Sequence, residues 1–266
     1  MISAHTNTKS QPPERIAIVY WAAGLGAITA EALADRLDVT AASARARLLA
    51  AERERLLERH RPLMGRPALY TVTRTGLRAA GASGLDPCRV SPSNTLHLIE
   101  CVRVAVALER CYPDHRVQGE RELRREEREH GRALASAELG AGRRDEARRH
   151  RPDLVLWPLE RDGSQATGPN GSHTTGSDGG SPPEPPGGPV AVEVELTVKA
   201  PERLEEICRG WARARCVAGV LYIASPEAER AVERAIERSC AHERVVVVPL
   251  KALPTRPIER TVPSSA

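Results

Sequence analysis

Two periods alternate along this chain: apolar positions three and four apart, which predict helices, and positions two apart, which predict strands. Ile16, Ile18, Val19 and Trp21 mark a helix over Glu14–Ala23. Thr29 is placed to cap a second helix, Ala30–Leu37, in which Leu33 and Leu37 share a face. After a short turn, Asp38-Val39-Thr40, the pattern Leu48, Leu49, Leu56, Leu57 predicts a third helix over Ala41–Arg59. Met64-Gly65-Arg66-Pro67 then suits a loop between two short strands, the second being Ala68–Val72, and Thr73 starts a last turn or helix.

Beyond a turn-rich linker at 81–93, Leu96, Ile99, Val102 and Val106 predict a helix over Asn94–Arg110. A short strand near Arg116–Gly119 and a highly charged helix from Glu120 to about Ala137 follow. Arg151–Trp157 opens with Pro-Asp and reads as a strand. Val190–Lys199 alternates strictly: Val192, Val194, Leu196 and Val198 face one way, Glu193, Glu195, Thr197 and Lys199 the other. Helices over Pro201–Arg215 and Pro226–Ala241 alternate with strands at Ala218–Ala224 and Arg244–Pro249. The class is α/β, α+β overall, in two parts, 14–80 and 94–250. Residues 161–189 hold eight glycines, six prolines and one apolar residue, Ala166. Such a segment buries too little surface to order itself and is expected to be a disordered insertion at a hairpin tip.

Composition refines this picture in two places. Of 266 residues, 41% are hydrophobic and 28% charged, which permits a packed core and argues against global disorder. Residues 1–80 hold 12 Lys/Arg against 7 Asp/Glu, and the remainder 27 against 28, so the net charge of +4 has its positive excess in the first third. No run approaches the roughly 18 apolar residues of a membrane helix, and the first residues lack a secretory pattern. A cytoplasmic protein with no membrane partner is therefore expected. Six cysteines at unpaired spacings predict free thiols. No GxSxG, HExxH, CxxC or phosphate-cradling glycine loop occurs.

The stretches LADRLDVTAASARARLL and GRPALYTVTRTG resemble the winged helix-turn-helix family. That resemblance implies a third helix entering the major groove of double-stranded DNA, with Ser43, Arg45 and Arg47 toward base edges and Thr40 near the backbone. Arg61 and Arg66 flank the wing, where the resemblance implies contact with phosphate. The bland alternative makes these arginines ordinary solvated positions on a protein-interaction module.

The order helix, three strands with an added helix, helix, strand, helix, strand, with Asp153 on one strand and Glu193 and Glu195 on the next, resembles the PD-(D/E)xK superfamily of restriction-endonuclease-like folds. It implies Asp153, Glu193 and Glu195 as catalytic residues, with Asp153 and Glu193 holding Mg²⁺ or Mn²⁺. Hard oxygen donors from two adjacent strands suit such an ion, which activates water for attack on phosphate. The superfamily's lysine, two residues after the acid, is replaced here by Glu195. Lys199 would lie about 14 Å from Glu195 if the strand ran on. Glu100 or Glu120 is the candidate upstream acid, and His97 stands one turn before Glu100. The alternative for the acids is an edge strand with a solvated, salt-bridged polar face.

More narrowly, the winged unit followed by THLIE, GEREL, RPDLVL and VAVEVELTVKAPERLEEI resembles the replication-relaxation family, over most of residues 15–225. The resemblance implies a DNA-handling protein of a plasmid or mobile element, acting in replication, relaxation or transfer. Three functional readings follow: a metal-dependent nuclease, an inactive DNA-binding accessory to replication or conjugation proteins, and a ligand-sensing transcription regulator.

Overall fold

The computed structural model describes residues 13–141, 147–159 and 187–254. The insertion expected at 161–189 falls almost wholly outside them. The chain folds as a mixed α/β molecule, with a largely helical N-terminal region followed by a mixed sheet.

The first seven elements are α1 (Pro13–Leu25), β1 (Ala27–Ile28), α2 (Ala30–Leu37), α3 (Ala41–Arg53), β2 (Leu57–His60), β3 (Leu69–Val72) and α4 (Arg74–Ala79). Local chemistry sets most of their ends. Thr29, Thr40 and Thr73 each place a side-chain oxygen on the backbone N–H three residues on, capping α2, α3 and α4. Asp38 ends α2 in the left-handed conformation, φ +52°, which aspartate tolerates better than most residues. The expected third helix stops six residues early. Arg55 turns left-handed, at φ +58°, so Leu57–His60 leaves the helix and pairs antiparallel with β3. Leu56 and Leu57 are buried all the same, at the hairpin instead of on a helix face. The sheet order is β1-β3-β2.

The second part comprises α5 (Thr95–Cys111), β4 (His115–Gly119), α6 (Glu120–His130), β5 (Ala137–Ala141), β6 (Ala147–His150), β7 (Leu154–Pro158), β8 (Val190–Glu195), α7 (Pro201–Arg213), β9 (Gly219–Ala224), α8 (Pro226–Ser239) and β10 (Val245–Pro249). The charged helix α6 is shorter than expected. It ends at left-handed Gly131, φ +69°, the usual helix stop. Ala137 instead begins β5, which pairs with β6 in a separate two-stranded ribbon.

Five strands form the main sheet in the order β10-β9-β8-β7-β4, with β4/β7 and β7/β8 antiparallel and β8/β9 and β9/β10 parallel. One face packs on α5 through Cys101, Val104, Leu108, Leu154, Leu156, Val192, Val194 and Ile223. The other packs on α7 and α8 through Val155, Ala191, Ile207, Trp211, Tyr222 and Val232. Helix α5 also sends Val102 and Val106 into the core of the N-terminal region. The contact between α1 and β4 is equally tight: a Cβ on Gly119 would stand 2.3 Å from the carbonyl oxygen of Gly24.

This topology brings the start of β7 and the ends of β4, β8 and β9 to one end of the sheet, beside the first turns of α5. Among the described residues, no helix is long and apolar enough to cross a membrane. All six cysteines are free.

Candidate functional site

Strand β8 is central, not an edge, and Glu193 and Glu195 are each only 4% exposed. The solvated polar face that the alternation allowed is therefore absent. Burying carboxylates is costly unless they are paired, and each has its partners. Glu193 Oε1 receives hydrogen bonds from Trp211 Nε1 (3.1 Å), on α7, and His150 Nε2 (2.7 Å), at the end of β6. Glu195 is ion-paired with Lys199.

That pairing arises because the strand does not run on to Lys199. It ends at Glu195, where Ser225 N donates to the Glu195 carbonyl (2.8 Å) and Ser225 Oγ to the Leu196 carbonyl (3.0 Å). The chain turns there, Val198 becomes 58% exposed, and the Lys199 ammonium comes back to the carboxylate. Burial pushes the Lys199 pKa down, but the hydrogen bond and charge of Glu195, with Glu193 and Asp153, outweigh it and leave the pKa raised. Burial pushes the Glu195 pKa up against the pull of Lys199.

Asp153 immediately precedes β7, opposite Glu193 in the β7/β8 register extended by one residue. Its Oδ2 accepts the Val194 N–H at 2.7 Å and its Oδ1 meets His97 Nε2 at 3.0 Å. The hydrogen bond to Asp153 raises the His97 pKa against burial. Asp153 and Glu193 thus take their partners from opposite layers, α5 for one and α7 for the other. Both still act on the same neighbours: each helps to raise the pKa of His150, where burial opposes them, and of Lys199.

Glu100 pairs with Arg103 at 3.0 Å. Glu120 donates its backbone N–H to the Asp153 carbonyl (3.0 Å), while its side chain pairs with Arg124. Both acids contribute to the field at Cys101. His150 and Trp211 escaped the sequence reading. His150 stands only three residues before Asp153, but its place depends on the β5–β6 ribbon, which begins where the expected helix ends and to which the sequence pattern assigns no element.

A second cluster lies in the N-terminal region. Arg45 on α3, Arg59 on β2, and Arg61 and Arg66 in the β2–β3 loop line a cleft of about 480 Å³ with Glu31 and Tyr70. Arg45 approaches Glu31 at 3.8 Å and Arg59 approaches Glu52 at 3.6 Å. Arg47 is elsewhere: two residues on from Arg45 it is rotated about 200° around the helix and pairs with Glu14 of α1. Thr40 spends its hydroxyl on the α3 cap, accepting the Ser43 N–H at 3.2 Å.

No protein-family model matches the chain, and no curated protein or solved structure shows significant similarity to it.

Proposed function

We propose that the chain binds duplex DNA through α3 and the β2–β3 hairpin, and hydrolyses a phosphodiester bond at the acidic end of the five-stranded sheet. In this reading residues 14–80 are a winged helix-turn-helix unit and 94–250 a restriction-endonuclease-like domain. The role is DNA handling in the replication, relaxation or transfer of a plasmid or mobile element.

The return of Lys199 to Glu195 is the observation that carries the proposal. A carboxylate cluster without a cation would repel phosphate. Lys199 beside Glu195 supplies a positive group at the acidic end of the sheet, of the kind that stabilises the negative charge developing in phosphoryl transfer. Asp153 and Glu193 carry hard oxygen donors of the kind that Mg²⁺ or Mn²⁺ takes, an ion that polarises a phosphate oxygen and acidifies a bound water; to share one ion they must swing in from the opposite layers that hold them. Val194 N–H fixes the Asp153 carboxylate, and Trp211 fixes that of Glu193. The pKa values of His150 and His97 are both raised, by Glu193 and Asp153 against burial. The four arginines of the N-terminal cleft support contact with phosphate.

The test is nicking of supercoiled plasmid in Mn²⁺ by the wild type, Asp153→Ala and Lys199→Met. Both variants should lose activity. If wild type and Asp153→Ala give the same background, hydrolysis fails and the accessory DNA-binding reading remains. In parallel, Arg61→Ala and Arg66→Ala should weaken duplex binding and each flatten its salt dependence by about one counterion.

One observation favours a ligand-sensing reading. A cleft of about 810 Å³ between α1 and β4, lined by Ile16, Tyr20, Trp21, Leu25 and Val117 among others, has the size of a small-molecule site. Trp21 Nε1 and His115 Nδ1 are buried there without a hydrogen-bond partner. Filling the cleft by Ala17→Trp should leave duplex affinity unchanged under the DNA-hydrolysis reading and alter it under the sensing one.

A further inference from the structure

We propose that His97, Cys101 and Asp153 bind a divalent transition-metal ion of the zinc and cobalt type. This deepens the proposed reading by naming a softer cation at Asp153, yet it rests on geometry that holds whether or not DNA is cleaved.

His97 and Cys101 are one turn apart on α5 and so project from the same face. Their donor atoms, His97 Nε2 and Cys101 Sγ, are 3.3 Å apart. Asp153 Oδ1 lies 3.0 Å from the same nitrogen, and all three donors fall within 4.8 Å of one another. A tetrahedral ion with ordinary bonds to nitrogen, oxygen and sulfur requires edges of about 3.3 Å for N···O and about 3.6 Å for N···S. The two edges at His97 therefore need to open by only a few tenths of an ångström, and the third, between Asp153 and Cys101, already lies within 4.8 Å.

The donor chemistry decides the class of ion. Magnesium and calcium take oxygen ligands. Imidazole and thiolate select zinc, cobalt and their neighbours. Cys101 is 8% exposed, and Asp153, Glu193, Glu100 and Glu120 all impose negative potential on its sulfur. That potential opposes a bare thiolate and favours a cation. On binding, the thiol proton leaves to solvent as the sulfur–metal bond forms, His97 Nε2 gives up the proton that Asp153 accepts and leaves a neutral imidazole protonated at Nδ1, and no electron is transferred. The Val194 N–H already orients the second oxygen of Asp153, the kind of support that bound carboxylates need. The His97 side chain is 40% exposed, which gives an ion a path from solvent. Three protein donors leave a fourth position for water or a phosphate oxygen.

The test uses the full chain, stripped with a chelator and titrated with Co²⁺ in the absence of DNA. The expected result is one equivalent bound, with visible bands of tetrahedral intensity and a sulfur-to-cobalt charge-transfer band in the near ultraviolet. Zn²⁺ should displace the cobalt and millimolar Mg²⁺ should not. Cys101→Ser should abolish the charge-transfer band. His97→Ala should weaken binding by more than the roughly 10–100-fold that loss of a supporting partner costs. A wild-type protein without the charge-transfer band overturns the proposal, and so does a band that persists in Cys101→Ser. Because no DNA is present, a positive titration beside a failed nicking assay separates this site from the hydrolysis reading.

Discussion

The segment that carries Asp153 is anchored by one buried ion pair, and breaking it gives a quantitative test of the fold around the site. Glu127 of α6 has a fully buried side chain. Its carboxylate accepts from Arg151 Nε (2.9 Å), Ser136 Oγ (2.5 Å) and Leu134 N (3.0 Å). Arg151→Met removes the cation and leaves the charge. Losing one partner of a buried pair costs about 3–5 kcal/mol. Here Arg151 is 23% exposed and two neutral donors remain, so the cost falls to the bottom of that range or just below it, about 2–3 kcal/mol. With a urea m-value of about 3 kcal/mol/M, the midpoint falls by about 0.7–1 M. Urea unfolding followed by circular dichroism measures it. Adding Glu127→Gln removes the stranded charge, so the double variant should recover about 1 kcal/mol or more relative to simple addition. A midpoint unchanged by Arg151→Met, or strict additivity in the double variant, would refute the anchoring role.

Other consequences are open to direct measurement. The His150 pKa is raised in the fold, so its pairing with Glu193 stabilises fully below the ordinary histidine value of about 6.5 and is lost as pH rises through the raised value. The urea midpoint should fall across that window, with His97 contributing to the same fall, and His150→Gln should reduce the step; a step unchanged by His150→Gln contradicts the pairing. Gly119→Ala drives a methyl into the Gly24 carbonyl and should cost about 2 kcal/mol or more by calorimetry. Arg55→Gly relieves a left-handed arginine and should be neutral or stabilising by up to about 1 kcal/mol, while Arg55→Val should destabilise.

What could be read from the sequence was what local chemistry decides. Helix α2 has the expected bounds because Thr29 and Asp38 mark both its ends within a few residues. Helix α3 was overrun because Leu56 and Leu57 continue a helical spacing, and the reversal at Arg55 carries neither glycine nor proline. Only pairing with β3, from residue 69 onward, makes the segment a strand. The same limit applied to the site. The acids were visible in the alternation of β8, but whether they faced water or protein depended on neighbouring strands. The return of Lys199 depended on Ser225, 26 residues later in the chain, holding the backbone at the end of the strand. Trp211 and His150 meet Glu193 from 18 and 43 residues away, separations on which no periodicity reports.

Helix α5 belongs to two interiors at once: Val102 and Val106 close the N-terminal core, while Cys101, Val104 and Leu108 close the sheet. A fragment severed in the 81–93 linker would thus carry a raw greasy stripe wherever its former companion had been. The same helix bears His97 and Cys101 in its first half, so the histidine and thiol facing Asp153 ride on an element that both interiors hold.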